Sequence, residues 1–292
     1  MTQTSDAPMI QVKDLTYSYD RDGRTAIKDI GFTVGRGEVF ALLGPSGAGK
    51  STTQGILTGL LPLQQGTGQV AGQDLHRITR SLFNKIGVSF EQSNVYGKLT
   101  ARENLAFYRK LFDTATIEPM ELLQLVGLDH VADKPANTFS KGMKHRLTFA
   151  RSMINRPELW FLDEPTTGLD PAIASTIKDI IKDKKHAGTT IMLTTHNMTL
   201  ADELSDRIGF IVDGELKLVD TPRNLKLRYG ERLVQVEYKQ DGQTRTETLS
   251  LVLENERQRL QEIISQYEIE TMHTKEATLE EIFIKVTGRG LI

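Results

Sequence analysis

VFALLGPSGAGKST, Val39 to Thr52, is the stretch on which the fold of this chain turns. Its first part, VFALL, is a short continuous apolar run ending at a glycine, as expected of a strand buried on both faces of a parallel sheet. The remainder fits G-x-x-x-x-G-K-[ST] at Gly44, Gly49, Lys50 and Ser51, between that strand and a helix start. In such a loop, running from Gly44 through Pro45, Ser46, Gly47, Ala48 and Gly49 to Thr52, the glycines let backbone N–H groups close around phosphate oxygens. The helix N-terminus adds partial positive charge, Lys50 faces the β and γ phosphates, and the Ser51 hydroxyl is placed to ligate Mg2+. A glycine-rich turn without a ligand is the competing reading, and the flanking strand and helix weigh against it.

WFLDEP, Trp160 to Pro165, supplies the second requirement of that chemistry. Asp163, ending an apolar strand, is expected to hold the metal through water and to stay ionised. Glu164 then faces the γ-phosphate side as the candidate general base. Standing alone, an acidic pair at a strand-to-turn junction reads as solvated surface; the phosphate loop reverses that preference.

The bulk numbers set limits. A chain of 292 residues buries a sizeable core and holds one large domain plus a small one, or two of ordinary size. Its 38% hydrophobic and 25% charged composition is that of a folded globular protein. With 36 basic and 38 acidic residues there is no global basic field for a nucleic-acid backbone, so no nucleic acid is expected as partner. The absence of cysteine excludes disulfides and thiolate metal sites. MTQTSDAPMIQV lacks the basic start and apolar stretch of a signal peptide, and no run approaches the roughly 18 apolar residues of a membrane span. The chain is therefore expected to stay cytosolic, with any membrane role carried by another polypeptide.

Along the chain, Met9–Tyr19 and Gly31–Phe40 alternate like half-buried strands around a turn at Asp20 to Gly23. From Leu99 to Asn155 the pattern is helical: Thr100 with Glu103 forms a capping-box pair, and Glu121–Val126 and Met143–Met153 carry apolar residues at helix spacing. LWFLD at 159–163 and TIMLTTH at 190–196 are buried-strand candidates flanking a helix over 171–185, a parallel crossover. After Asp220 a hairpin turning at Asp241 and Gly242 and a helix over 255–266 mark a separate small domain. The expected fold is α/β: a P-loop NTPase core with an antiparallel β subdomain and a helical insertion, plus a small α+β C-terminal domain. The nucleotide-binding domain is placed at 1–225, with its helical subdomain at about 95–155, and the accessory domain at 226–292.

Together with FSKGMK at 139–144, TTGLD at 166–170 and His196, these motifs resemble the ATP-binding-cassette (ABC) ATPase family over about Met9 to Asp220. Their order and spacing, 113 residues from Lys50 to Asp163 and 33 from Asp163 to His196, fit the family. The resemblance implies two cassettes paired head to tail, each ATP held between one phosphate loop and the partner's signature segment. Ser140 and Gly142 then serve the other subunit's ATP, Asp170 lies at the dimer interface, and His196 contacts the γ-phosphate. Tyr19 looks like the residue that stacks on adenine, with Tyr17 the alternative.

Two departures narrow the resemblance. The signature reads FSKGM, with Lys141 where the first glycine of the usual pair stands and Met143 where glutamine stands; such signatures resemble subunits of the export class. Counting back from Leu99 puts Glu91 at the Q-loop position, where it would add a carboxylate to Mg2+, while a one-residue shift would give the role to Gln92. LTARENLAFY at 99–108 and EATLEEIFIKVTGRG at 276–290 resemble drug, antibiotic and polysaccharide exporter ATPases. The resemblance therefore implies an ATP- and Mg2+-dependent subunit, peripheral at the cytoplasmic membrane face through separate integral membrane permease subunits and paired with a second copy. The rival is a soluble ABC machine acting on ribosomes or DNA, but the paired cassettes, coiled coils or zinc modules of such proteins are missing. A regulatory member that only binds nucleotide is the weaker third reading, since both carboxylates and His196 are present.

Overall fold

A computed structural model describes residues 7–19 and 25–290, which divide into two compact units on either side of the Asp220–Thr221 link. That link precedes the boundary expected at 225, which falls inside a helix. The turn expected at Asp20 to Gly23 lies outside the described residues.

The first unit opens with β1 (Ile10–Ser18) and β2 (Thr25–Val34), paired antiparallel with Ile10 opposite Val34. β1 buries Ile10, Val12, Leu15 and Tyr17; the phase of the alternation slips at Asp14, whose φ of 55° marks a bulge. The single strand read over 31–40 is corrected by the structure. It spans the end of β2, a turn at 35–37 in which Glu38 Oε2 accepts from Gly35 N at 2.5 Å, and the start of β3 (Val39–Leu43). Alternation alone does not register a turn whose residues happen to keep the phase.

β3 is buried throughout and leads into α1 (Lys50–Leu57). β4 (Gln65–Val70) and the short β5 (Gln73–Asp74) complete a sheet ordered β2-β1-β4-β5, followed by α2 (Arg80–Lys85) and β6 (Ile86–Ser89). The helical insertion comprises α3 (Ala101–Arg109), α4 (Pro119–Leu125) and α5 (Lys141–Arg151). Thr100 and Glu103 form both hydrogen bonds of the expected capping box. β7 (Leu159–Asp163) is joined through α6 (Pro171–His186) to β8 (Thr190–Thr195), and the two pair in parallel. α7 (Met198–Leu204), β9 (Arg207–Val212) and β10 (Glu215–Asp220) close the unit. The second sheet runs β10-β9-β3-β8-β7-β6, parallel except for the β10 edge. Phe32 stacks on Phe40 at 4.9 Å between centroids, joining the two sheets through one core.

The second unit contains α8 (Pro222–Tyr229), β11 (Leu233–Gln240), β12 (Gln243–Ser250), α9 (Glu254–Gln266), β13 (Glu268–Lys275) and α10 (Leu279–Thr287). Its sheet is ordered β12-β11-β13, and Val236, Tyr238, Leu249 and Ile263 form its core. Asp241 (φ 52°) and Gly242 (φ 78°) sit between paired Gln240 and Gln243, the two left-handed residues that a two-residue hairpin turn requires. Gly242→Val, which forces a β-branched side chain into that region, is expected to cost about 1–2 kcal/mol, measured as a shift in the urea unfolding of this unit in the full chain.

Candidate active site

β3 ends at Leu43 and the loop re-enters regular structure at Lys50, where α1 has no side-chain cap on its N-terminus. Its first N–H groups are therefore left to a ligand, with the helix dipole behind them. Gly49 turns the chain at φ 108°, and a Cβ there would stand 2.6 Å from Ile27 Cγ2 and 2.9 Å from the Ala26 carbonyl, so only glycine fits. Lys50 folds back over the loop, its Nζ donating to the carbonyls of Gly44 at 2.6 Å and Pro45 at 2.9 Å. Burial lowers its pKa, while the charges of Glu164, Asp163 and Glu91 raise it.

Asp163 is buried at the end of β7 and accepts from Thr194 Oγ1 at 2.6 Å; the same hydroxyl lies 2.8 Å from Gln54 Oε1 on α1. Burial raises the Asp163 pKa, the Thr194 hydrogen bond opposes it, and repulsion from Glu164 and Glu91 adds to it. Glu164 follows in a left-handed turn at φ 48°. Its Oε1 accepts from the His196 backbone N–H at 2.8 Å and lies 2.6 Å from His196 Nδ1. Its Oε2 accepts from Thr195 Oγ1 at 2.8 Å and Thr167 Oγ1 at 3.1 Å. Since a carboxylate only accepts, the bond to His196 requires Nδ1 to carry the proton. Glu164 is thus held on four sides by its own chain.

These groups open on one cleft of about 430 Å³, whose walls include Ser46, Gly47, Lys50, Ser51, Thr52, Asp163, Glu164 and His196. Gly44, Pro45 and Ala48 form the loop behind that wall, Ala48 being buried. Tyr19 also lines the cleft, exposed and with its hydroxyl 3.0 Å from Thr52 Oγ1, whereas Tyr17 is buried beneath it in an edge-on ring contact. That leaves Tyr19 as the face available to a base. Glu91 is in the wall and Gln92, exposed, is not among the residues that line it. Ser140, Lys141, Gly142 and Asp170 lie outside this cleft. Ser140 caps α5 by accepting from Met143 N at 3.2 Å, and Asp170 caps α6 by accepting from Ile173 N at 3.0 Å.

Sequence reading missed the layer behind the cleft: Gln54, Thr167, Thr194 and Thr195, which orient the two carboxylates, and Ala26, which lines the wall. The paired threonines before His196 are its one local signal, because a hydroxyl ending a strand beside a buried carboxylate is a ready donor. The donor set suits Mg2+: the Ser51 hydroxyl with the Asp163 and Glu91 carboxylates offers hard oxygens, and the charges of Glu164 and Glu91 both repel Asp163 opposite one lysine.

A glycine loop at a bare helix N-terminus, opposite a carboxylate pair at the end of a parallel strand, defines the P-loop nucleoside-triphosphate hydrolases as the class of this fold and site. Residues 27–167 match the family profile described as ABC transporter. A fluoroquinolones export ATP-binding protein of Mycobacterium tuberculosis (strain CDC 1551 / Oshkosh) is 48% identical over 97% of this chain and 94% of its own length. The linearmycin resistance ATP-binding protein of Bacillus subtilis (strain 168) is 37% identical over 76% of this chain and 72% of its own. Among solved structures, an ATP-binding subunit of an ABC transporter aligns with a TM-score of 0.70 at 28% identity, over 76% of this chain and 93% of that one. A dimeric post-hydrolysis ATP-binding cassette bound to ADP and Pi aligns at 0.67 and 27% identity, over 74% and 99%. The chain belongs to the ABC transporter family, as one of its ATP-hydrolysing cassettes.

Two outcomes follow from the charges. Because folding raises the Asp163 pKa, proton uptake favours the folded state, and this group's contribution to stability improves as pH falls through the folded value towards 3.8. Asp163→Asn, which keeps the Thr194 hydrogen bond and removes the buried charge, is expected to raise the Tm of the nucleotide-free protein by about 2–4 °C, read by calorimetry, while abolishing turnover. Glu91→Gln is expected to raise the Mg2+ concentration needed for half-maximal ATPase activity by roughly tenfold, with Gln92→Ala unchanged; an effect confined to Gln92→Ala would return the role to that residue.

Proposed function

We propose that this protein is the energising subunit of an exporter, driving substrates through separate membrane-embedded subunits by closing and opening a head-to-tail dimer on ATP and Mg2+. The observation that carries the reading is the split of the phosphate apparatus. Lys50, Ser51, Asp163 and Glu164 share one cleft, while Ser140 and Gly142, at the exposed start of α5, do not line it. A serine hydroxyl and helix N–H groups aimed away from their own nucleotide make sense as the far wall of a second one. The γ-phosphate is then what joins the copies, so ATP closes the dimer and its hydrolysis opens it. The dimeric cassette bound to ADP and Pi supports that arrangement.

In the working cycle, Lys50 exchanges the Gly44 and Pro45 carbonyls for phosphate oxygens, which carry more charge. Ser51, Asp163 and Glu91 would hold Mg2+, which when bound would supply positive charge against the phosphates. Tyr19 stacks on the adenine. Glu164 takes the proton of the attacking water once one of its four donors lets go, and His196 holds base and water in line against the γ-phosphate. Asp170, capping α6, borders the dimer interface.

Among the described residues no helix is long and apolar enough to cross a membrane. The permease is therefore read as a partner, with the chain peripheral at the cytoplasmic face. An apolar groove of about 240 Å³ bordered by Phe83, Phe90, Tyr108 and Phe112 suits a permease segment, because Phe90 borders it while its neighbour Glu91 lines the nucleotide cleft. The relatives named for fluoroquinolone export and linearmycin resistance favour amphipathic drug-like molecules as cargo.

Glu164→Gln tests the reading. The variant is expected to bind ATP and elute as an ATP-dependent dimer on size exclusion, with turnover reduced by about 10²-fold or more. Turnover near wild type would remove Glu164 as base, and a monomer in ATP would remove the shared site. Co-purification with ribosomes or DNA in place of an integral membrane protein would overturn the export assignment.

A further inference from the structure

α5 carries a group that none of this chemistry uses. His145 is 5% exposed, and among the described residues neither of its ring nitrogens has a hydrogen-bond partner. A buried imidazole whose nitrogens lack protein partners costs stability, so a native structure that keeps one does so for a reason. The ring approaches the main-chain carbonyl of Glu164 without completing a hydrogen bond. That carbonyl already accepts from Thr167 N at 3.2 Å and has a second lone pair to offer. The peptide that follows it runs into Pro165, which has no N–H, and Glu164 itself sits at a left-handed φ. The turn carrying the base thus has a left-handed residue whose carbonyl keeps one lone pair for a further donor.

A second orphan faces the same helix. Ser89 is 1% exposed and its Oγ has no partner among the described residues. α5 packs on β6, where a Cβ on Gly87 would stand 2.0 Å from the Ser152 carbonyl just past the helix end. Side chains two apart on a strand share a face, so Ser89 also points at α5. His145 lies seven residues before Ser152, two turns back along the same helix face. Burial lowers the His145 pKa, the Glu164 carbonyl opposes this, the Lys141 charge adds to it and the Glu91 charge opposes it. A neutral imidazole has one donor and one acceptor, and a hydroxyl on the β6 face against α5 together with the Glu164 carbonyl would match both.

We propose that His145 is a positioning residue for ATP hydrolysis: when α5 engages the partner's nucleotide, the imidazole accepts from Ser89 and donates to the Glu164 carbonyl, fixing the turn that presents the base. The inference rests on the reading of Ser140 and Gly142 as the wall of the second copy's site. Engagement of the signature at the start of α5 then reaches this subunit's own base through one helical turn and one side chain, so each ATP site reports its occupancy to the other.

ATP turnover of the full chain tests it with three variants. His145→Leu removes both unpartnered nitrogens, so its Tm is expected to equal or exceed that of wild type. Its kcat is expected to fall roughly tenfold or more through misplacement of the base, with KM for ATP within about twofold. His145→Gln, which keeps a donor and an acceptor, restores most of kcat. A merely structural histidine would give no fall in kcat with Leu, and that result, or an equal loss with Leu and Gln, overturns the proposal. If His145→Leu does not fold, Ser89→Ala decides: a kcat lowered by about threefold or more supports the link, and an unchanged kcat overturns it. Failure of Glu164→Gln to dimerise in ATP would sink the shared-site reading instead. A normal ATP-dependent dimer with His145→Leu at full turnover sinks this inference alone.

Discussion

The parallel pairing of three strands places every reacting group. β3, β8 and β7 end in register, with Leu43 opposite Thr195 and Asp163 opposite Thr194. The chain leaves all three strands at the same edge of the sheet, so the phosphate loop, the carboxylate pair and His196 emerge side by side although up to 152 residues separate them. Ligands of open parallel sheets bind at the carboxyl ends of the strands for this reason. Shifting one strand by a single residue would turn Thr194 away from Asp163 and remove the buried hydrogen bond that orients it.

Around that edge the electrostatics are arranged for a ligand. Asp163, Glu164 and Glu91 face Lys50, whose ammonium leans on two loop carbonyls. A triphosphate with its cation supplies the negative oxygens the lysine lacks and the positive charge the carboxylates lack. Glu164 meanwhile spends its acceptor sites on His196, Thr195 and Thr167. Under the proposed mechanism, one of these donors must let go before Glu164 can accept a proton from water. The idle imidazole of His145 sits behind the same turn, on the helix that bears the signature.

Reading from sequence worked where the pattern was strong and local. VFALL, LWFLD and TIMLTT are continuous apolar runs and became β3, β7 and β8, and the Thr100 and Glu103 pair became a capping box. It went wrong over 31–40, where the alternation runs across the 35–37 turn. It did not foresee α8, β13 or α10, for different reasons. EIETMHTK, which became β13, is an edge strand with little apolar content, held by backbone pairing to β11 and not by burial of its own side chains. In α8 only Leu225 is buried, so the helix shows almost no apolar period.

The sequence by itself determined the class of chemistry: a phosphate loop, a carboxylate pair and a signature segment require particular residue types at short spacing, and such local requirements are written directly in the chain. Tertiary structure decided what depends on distance between elements far apart in sequence. It buried Tyr17 and exposed Tyr19 at the cleft, and it put Glu91 in the cleft wall. It also surrounded Glu164 with hydroxyls from β8 and the turn after β7, and buried His145 on α5 near the Glu164 carbonyl. No periodicity encodes those contacts, because each depends on how strands and helices pack and on which face the packing removes from water.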